Sequence, residues 1–69
     1  MSDNPVRDPR VDPKPGDVLI LRSAKRWYRR EVIGVAIGVI YENSSGINAA
    51  SKPEWARWAQ RAEVIHAAD

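Results

Sequence analysis

Ser51-Lys52-Pro53-Glu54-Trp55-Ala56-Arg57-Trp58-Ala59-Gln60-Arg61-Ala62 is the stretch that decides the architecture. A serine followed three residues later by glutamate is a capping box. The Ser51 hydroxyl accepts from the Glu54 amide, and the Glu54 carboxylate accepts from the Ser51 amide. Such a cap contributes about 1 kcal/mol. Pro53 falls in the first turn, where its missing donor does little harm. On a helical wheel Trp55, Trp58, Ala59 and Ala62 lie within about 100° of one another, an apolar stripe. Arg57 and Arg61, four apart, project from the other side. The expectation is one short amphipathic helix over about 52–62, with both indoles packed as a lid on the rest of the chain. An exposed recognition pair is the rival reading, since tryptophan is enriched at binding hot spots.

Working outward, the flanks read as strands and turns. Glu63-Val64-Ile65-His66 has the look of a short closing strand, with Ala67-Ala68-Asp69 a frayed tail. Upstream, Asn43-Ser44-Ser45-Gly46 is the clearest turn, set between Val39-Ile40-Tyr41-Glu42 and Ile47-Asn48-Ala49-Ala50. The apolar run 32–41 contains Gly34 and Gly38, and glycine inside a strand marks a bulge or a turn. A hairpin turning near Ala36–Gly38 is favoured; one long strand kinked at a glycine is the alternative. Residues 26–35 make the second strand, with Trp27, Arg29 and Glu31 on one face and Tyr28, Arg30 and Val32 on the other. Pro15-Gly16-Asp17 is a turn signal leading into Val18-Leu19-Ile20-Leu21, and Ser23-Ala24-Lys25 is a loop.

The fold class that follows is mainly β with one short helix (α+β). The order of elements is that of a small SH3-like barrel of four to five antiparallel strands, with the C-terminal helix before the last strand. A closed or nearly closed barrel also removes the sheet edges that invite aggregation. Residues 1–15, with Pro5, Pro9, Pro13 and Pro15, form a proline-rich arm of polyproline-like backbone and local Asx turns. Its first seven residues are expected to be loose, and Val11 is the side chain expected to dock it. Residues 16–69 form a single small domain.

Sixty-nine residues allow one domain. A domain this small buries only about 60% of the surface its unfolded chain exposes. There is no cysteine, which excludes disulfides and thiolate metal sites. No apolar run approaches the ~20 residues of a membrane span, and no signal peptide is visible at the start. The expected location is cytoplasmic. A net charge of +2 is too mild to imply nucleic acid by itself. The cations are concentrated, however: Arg22, Lys25, Arg26, Arg29 and Arg30 crowd residues 22–30 with no anion among them.

Lys25-Arg26-Trp27-Tyr28-Arg29-Arg30 is therefore the best binding candidate, with Arg22, Lys25, Arg26, Tyr28, Arg29 and Arg30 as its surface. Nucleic-acid binding uses cations on phosphates and aromatic faces on bases, and alternation would put Arg26, Tyr28 and Arg30 on one side. The plainer reading, and the preferred one, is a solvated strand guarded by cations with Trp27 packed inward. His66, the only histidine, lacks an orienting acid or further ligands and reads as a surface residue. Asp8, Asp12 and Asp17 lack the glycine and terminal glutamate of a calcium loop, and read as turn formers. Gly34 and Gly38 match no phosphate loop, and no nucleophile elbow appears. No enzyme constellation and no cofactor are expected.

Three landmarks, Asp8-Pro9-Arg10-Val11-Asp12-Pro13-Lys14-Pro15-Gly16-Asp17-Val18-Leu19, then Val39-Ile40-Tyr41, then Trp55-Ala56-Arg57-Trp58-Ala59, resemble a group of small proteins from phage and prophage regions of proteobacteria. The resemblance spans residues 8–66. Its motifs are structural and transfer no catalytic residue, so it implies a genomic setting and no activity. Where that pattern carries an obvious turn between the middle strands, this chain has Gly34-Val35-Ala36-Ile37-Gly38. The expected function is a non-catalytic interaction module that binds a protein partner or self-associates, with no membrane involvement. Nucleic-acid binding through strand 25–30 is the alternative.

Overall fold

The structure is a computed structural model and describes residues 7–68. Its elements are β1 (Val18–Arg22), β2 (Trp27–Val35), β3 (Gly38–Asn43), β4 (Gly46–Ser51), α1 (Lys52–Ala59) and β5 (Glu63–His66). All strand pairs are antiparallel, in one open sheet of order β4-β3-β2-β1-β5. The order of elements along the chain is the one expected, consistent with a small barrel-like α+β fold, and the sheet is left open with β4 and β5 as its two edges. Among the described residues no helix is long and apolar enough to cross a membrane.

The hairpin expected near Ala36–Gly38 is present: β2 and β3 are joined by Ala36-Ile37, and the Ala36 amide donates to the Gly38 carbonyl at 2.9 Å. The kinked single strand is thereby excluded. Gly38 is needed for close approach, because a Cβ there would stand 2.5 Å from the Ala50 carbonyl oxygen on β4. Gly38→Ala should therefore lower stability by about 1–3 kcal/mol, the usual cost of overpacking. A denaturant midpoint unchanged from that of the parent would refute this. At the next turn Gly46 takes φ of +116°, a conformation that strains any residue with a Cβ. The Asn43 side chain closes that turn by accepting the Ser45 amide at 2.9 Å.

One face of the sheet carries the core. Leu19, Val32, Val39 and Tyr41 meet Trp55, Ala59 and Ala62 from the helical segment. Trp55 is 1% exposed, its ring tilted against Tyr41 with centroids 5.9 Å apart. Trp58 is half-buried beside it, at 5.5 Å. The capping box is complete, with Ser51 Oγ accepting from the Glu54 amide at 3.2 Å and Glu54 Oε1 from the Ser51 amide at 3.0 Å. The helix ends at Ala59, three residues before the expected boundary. There the bonds tighten to Arg61 N–Trp58 O and Ala62 N–Ala59 O, reversing the chain into β5 while Ala62 stays buried.

Residues 7–17 lie against this core, but not through Val11, which is 73% exposed and corrects the expected docking point. The arm docks instead through buried Pro9 and Pro13. The Pro9 carbonyl accepts the Trp55 indole N–H at 3.1 Å, and Arg10 Nε donates to the Ala62 carbonyl at 3.1 Å. Of the seven residues expected to be loose, 1–6 lie outside the described residues and Arg7 is fixed. Its guanidinium grips Asp17 in a bidentate pair, 2.5 Å and 2.8 Å. Asp8 is a turn former as expected, its carboxylate accepting the Arg10 amide at 3.0 Å. Asp17 is more than that. It is 0% exposed and also accepts the Lys14 amide at 2.7 Å and the Ala68 amide at 2.6 Å.

Candidate functional site

The site follows from a mismatch in strand length. β2 pairs with β1 from Trp27 onward, but its ladder with β3 runs only from Glu31–Glu42 toward Val35–Val39. Trp27–Arg30 therefore overhang the end of β3, hydrogen-bonded on one side and open on the other. The turn after β3 faces this open side. Between them lies a groove of about 670 Å³, lined by Arg26, Trp27, Tyr28, Arg29 and Arg30 on one wall and Glu42 to Ser45 on the other.

Strand alternation distributes the six candidate residues over both sheet faces and the preceding turn, so they do not form one basic patch. Arg22 and Arg29 lie on the outer face, away from the core. Arg22 stacks over Trp27, 4.7 Å from the ring centroid, and stands 3.4 Å from Glu63. Arg29 pairs with Glu31 at 3.2 Å. Lys25 and Arg26 occupy the exposed β1–β2 turn, closed by Ser23 Oγ accepting the Arg26 amide at 3.0 Å. Tyr28 and Arg30 share the inner face with Val32, as the alternation predicts, but Arg26 lies before the strand. Trp27 is 67% exposed on the outer face, which corrects the expectation that it packs inward. The inner face beside it is occupied by Leu21 and Tyr28, so alternation turns the indole out.

Arg30 is the least exposed cation of the six candidate residues. Its guanidinium carbon is 4.2 Å from the ring centroids of both Tyr41 and Trp58, and 6.0 Å from that of Trp55. A desolvated cation over aromatic faces gains about 2 kcal/mol. Burial draws its pKa below the ordinary arginine value, opposed by the attraction of Tyr41. Arg30 thus belongs partly to the core, which the basic run alone did not reveal. Glu42, Asn43, Ser44 and Ser45 are groove residues that sequence reading treated only as strand end and turn.

Chemically the groove offers an open backbone edge, exposed cations, a tyrosine and small hydroxyls. That suits recognition of an extended chain. His66 sits exposed at the end of β5 opposite Val18. Among the described residues no cluster of three or more histidine, aspartate or glutamate side chains could hold a metal ion. No protein-family model, curated protein or solved structure matches the chain.

Proposed function

We propose that the chain is a small non-catalytic interaction module of the cytoplasm, of the phage- or prophage-borne kind its landmarks resemble. It binds a protein partner or associates with itself through the outer face of its sheet. The observation that carries this is the apolar character of that face. Trp27 and Ile47 are each 67% exposed there, with exposed Ile40 and Ile65 on the same side. A domain that needs large side chains for its core leaves these outside it, and exposed apolar patches mark interaction sites. Flanking Arg29, Glu31 and Glu42 give the polar rim such surfaces carry.

Sedimentation should show a mass above 7.8 kDa as concentration rises, or on mixing with the products of adjoining genes. The double variant Trp27→Ser with Ile47→Ser should return the chain to monomer with an unchanged melting temperature. A double variant that associates as the parent does would sink the outer face as the contact.

The groove beside β2 favours a second reading, single-stranded nucleic acid. Arg26 and Arg29 would neutralise phosphates and Tyr28 would stack a base. Retention of single-stranded DNA or RNA should then fall steeply with salt and weaken in Arg26→Ala and Arg29→Ala. Absence of retention at low salt removes this reading.

A further inference from the structure

The two edges of the sheet are defended unequally. β5 is four residues long, its ladder to β1 is broken by a bulge at Val18/Leu19, and it carries Glu63 and His66. Arg10 and Arg7 also bind the carbonyls of Ala62 and Ala68, just before and just after it. Short length, bulges, charge and covering segments are the usual means of blunting an edge.

β4 has none of them. Gly46-Ile47-Asn48-Ala49-Ala50-Ser51 contains no charge and no proline, and its register with β3 is unbroken from Gly38–Ser51 to Asn43–Gly46. Ile47, Asn48 and Ala49 are all exposed. In an antiparallel ladder, alternate residues of an edge strand point both backbone groups away from their neighbour. The Ser51 amide donates to Glu54 and is thus turned away from β3, which assigns Ile47 and Ala49 to the same outward set.

We propose that β4 is the seam of a homodimer, pairing antiparallel with β4 of a second copy. This rests on the self-association arm of the proposed function and puts its contact at the β4 edge instead of the outer face. A second copy fits because the outward set is complementary to itself. With the twofold axis at Asn48, Ile47 of each copy stands opposite Ala49 of the other, and the two exchange amide–carbonyl bonds. The strand is neutral, so pairing it with itself brings no like charges together. The joined sheets also place Ile47 and Ile40 of both copies in one continuous apolar strip on the outer face.

The parent chain should sediment at twice 7.8 kDa at high concentration. Under the same conditions the Ile47 and Ala49 amides should become protected from hydrogen exchange. Ala49→Pro removes only an outward donor, a position where an edge strand tolerates proline. It should give a monomer with unchanged circular dichroism. Ala49→Lys, which leaves the backbone intact and adds an edge charge, should do the same even if the proline variant fails to fold. A chain that stays monomeric at every concentration overturns the seam and the self-association arm, leaving partner binding in place. A dimer that survives Ala49→Lys, or forms while both amides exchange freely, overturns the seam alone. Dimer contact through the outer face then stands.

Discussion

Asp17→Ala unfolds this domain at neutral pH or leaves it marginal. Removing one member of a buried ion pair costs about 3–5 kcal/mol, because the other is left uncompensated. A chain of this length has about 3–10 kcal/mol of total stability, at roughly 0.05–0.15 kcal/mol per residue. Here the loss takes the buried carboxylate from Arg7, which is 16% exposed and keeps its bonds to the Asp12 and Ala68 carbonyls, and leaves the amides of Lys14 and Ala68 without their acceptor. The double variant Arg7→Met with Asp17→Leu should recover only part of the loss, since both amides remain unpaired. Urea melts of the two variants check this, and a cost under about 1 kcal/mol for Asp17→Ala would sink it. The same carboxylate sets an acid limit. Burial alone would raise its pKa, but the Arg7 hydrogen bonds, the Lys14 and Ala68 amides and the Arg7 charge outweigh burial and hold it below the usual carboxylate value. As pH falls the unfolded chain takes up the proton first, so its stabilising effect is complete above the unfolded value near ~3.9. That effect is lost as pH drops through the lower folded value. An acid-unfolding curve of the double variant should lack this component.

Trp55→Ala should be equally severe, at about 3–5 kcal/mol for a large aromatic removed from a core. Trp55 touches Tyr41 and Trp58, joins the helix to the sheet, and holds the arm through its bond to Pro9. Trp55→Phe separates these contributions: it keeps most of the packing but orphans the Pro9 carbonyl, an added cost of about 1 kcal/mol. Fluorescence offers an independent check. Emission from Trp55 should be blue-shifted and shielded from quenchers, while Trp27 should be water-like. If all three tryptophans quenched alike, the lid architecture would fail.

Ser51 and Glu54 were readable in sequence because their contacts lie within one helical turn, and Trp55 because it falls on the apolar stripe of the helix that cap begins. The turn at Asn43–Gly46 and the hairpin at Ala36 were equally local, closed by bonds between residues two apart. Asp17 was not, since two of its partners stand 10 and 51 residues away. Nothing local separates a turn-forming aspartate from a buried anion. The basic run failed for a related reason. Cations at successive strand positions alternate between faces, and only the tertiary placement of Tyr41 and Trp58 shows that Arg30 turns inward while Arg29 does not. The helix end at Ala59 was missed because Gln60 and Arg61 favour helix, and tertiary reversal into β5 overrides them. Pro9 and Pro13 dock the arm by shape and a carbonyl, properties that hydrophobicity does not rank.

The bond from Arg7 to the Ala68 carbonyl brings positions near the two ends of the described chain side by side. A short peptide spliced between them would close the backbone into a ring with little distortion. The exposed Ser44-Ser45 tip could then be cut to create new ends, giving a circular permutant with the same strand order in space.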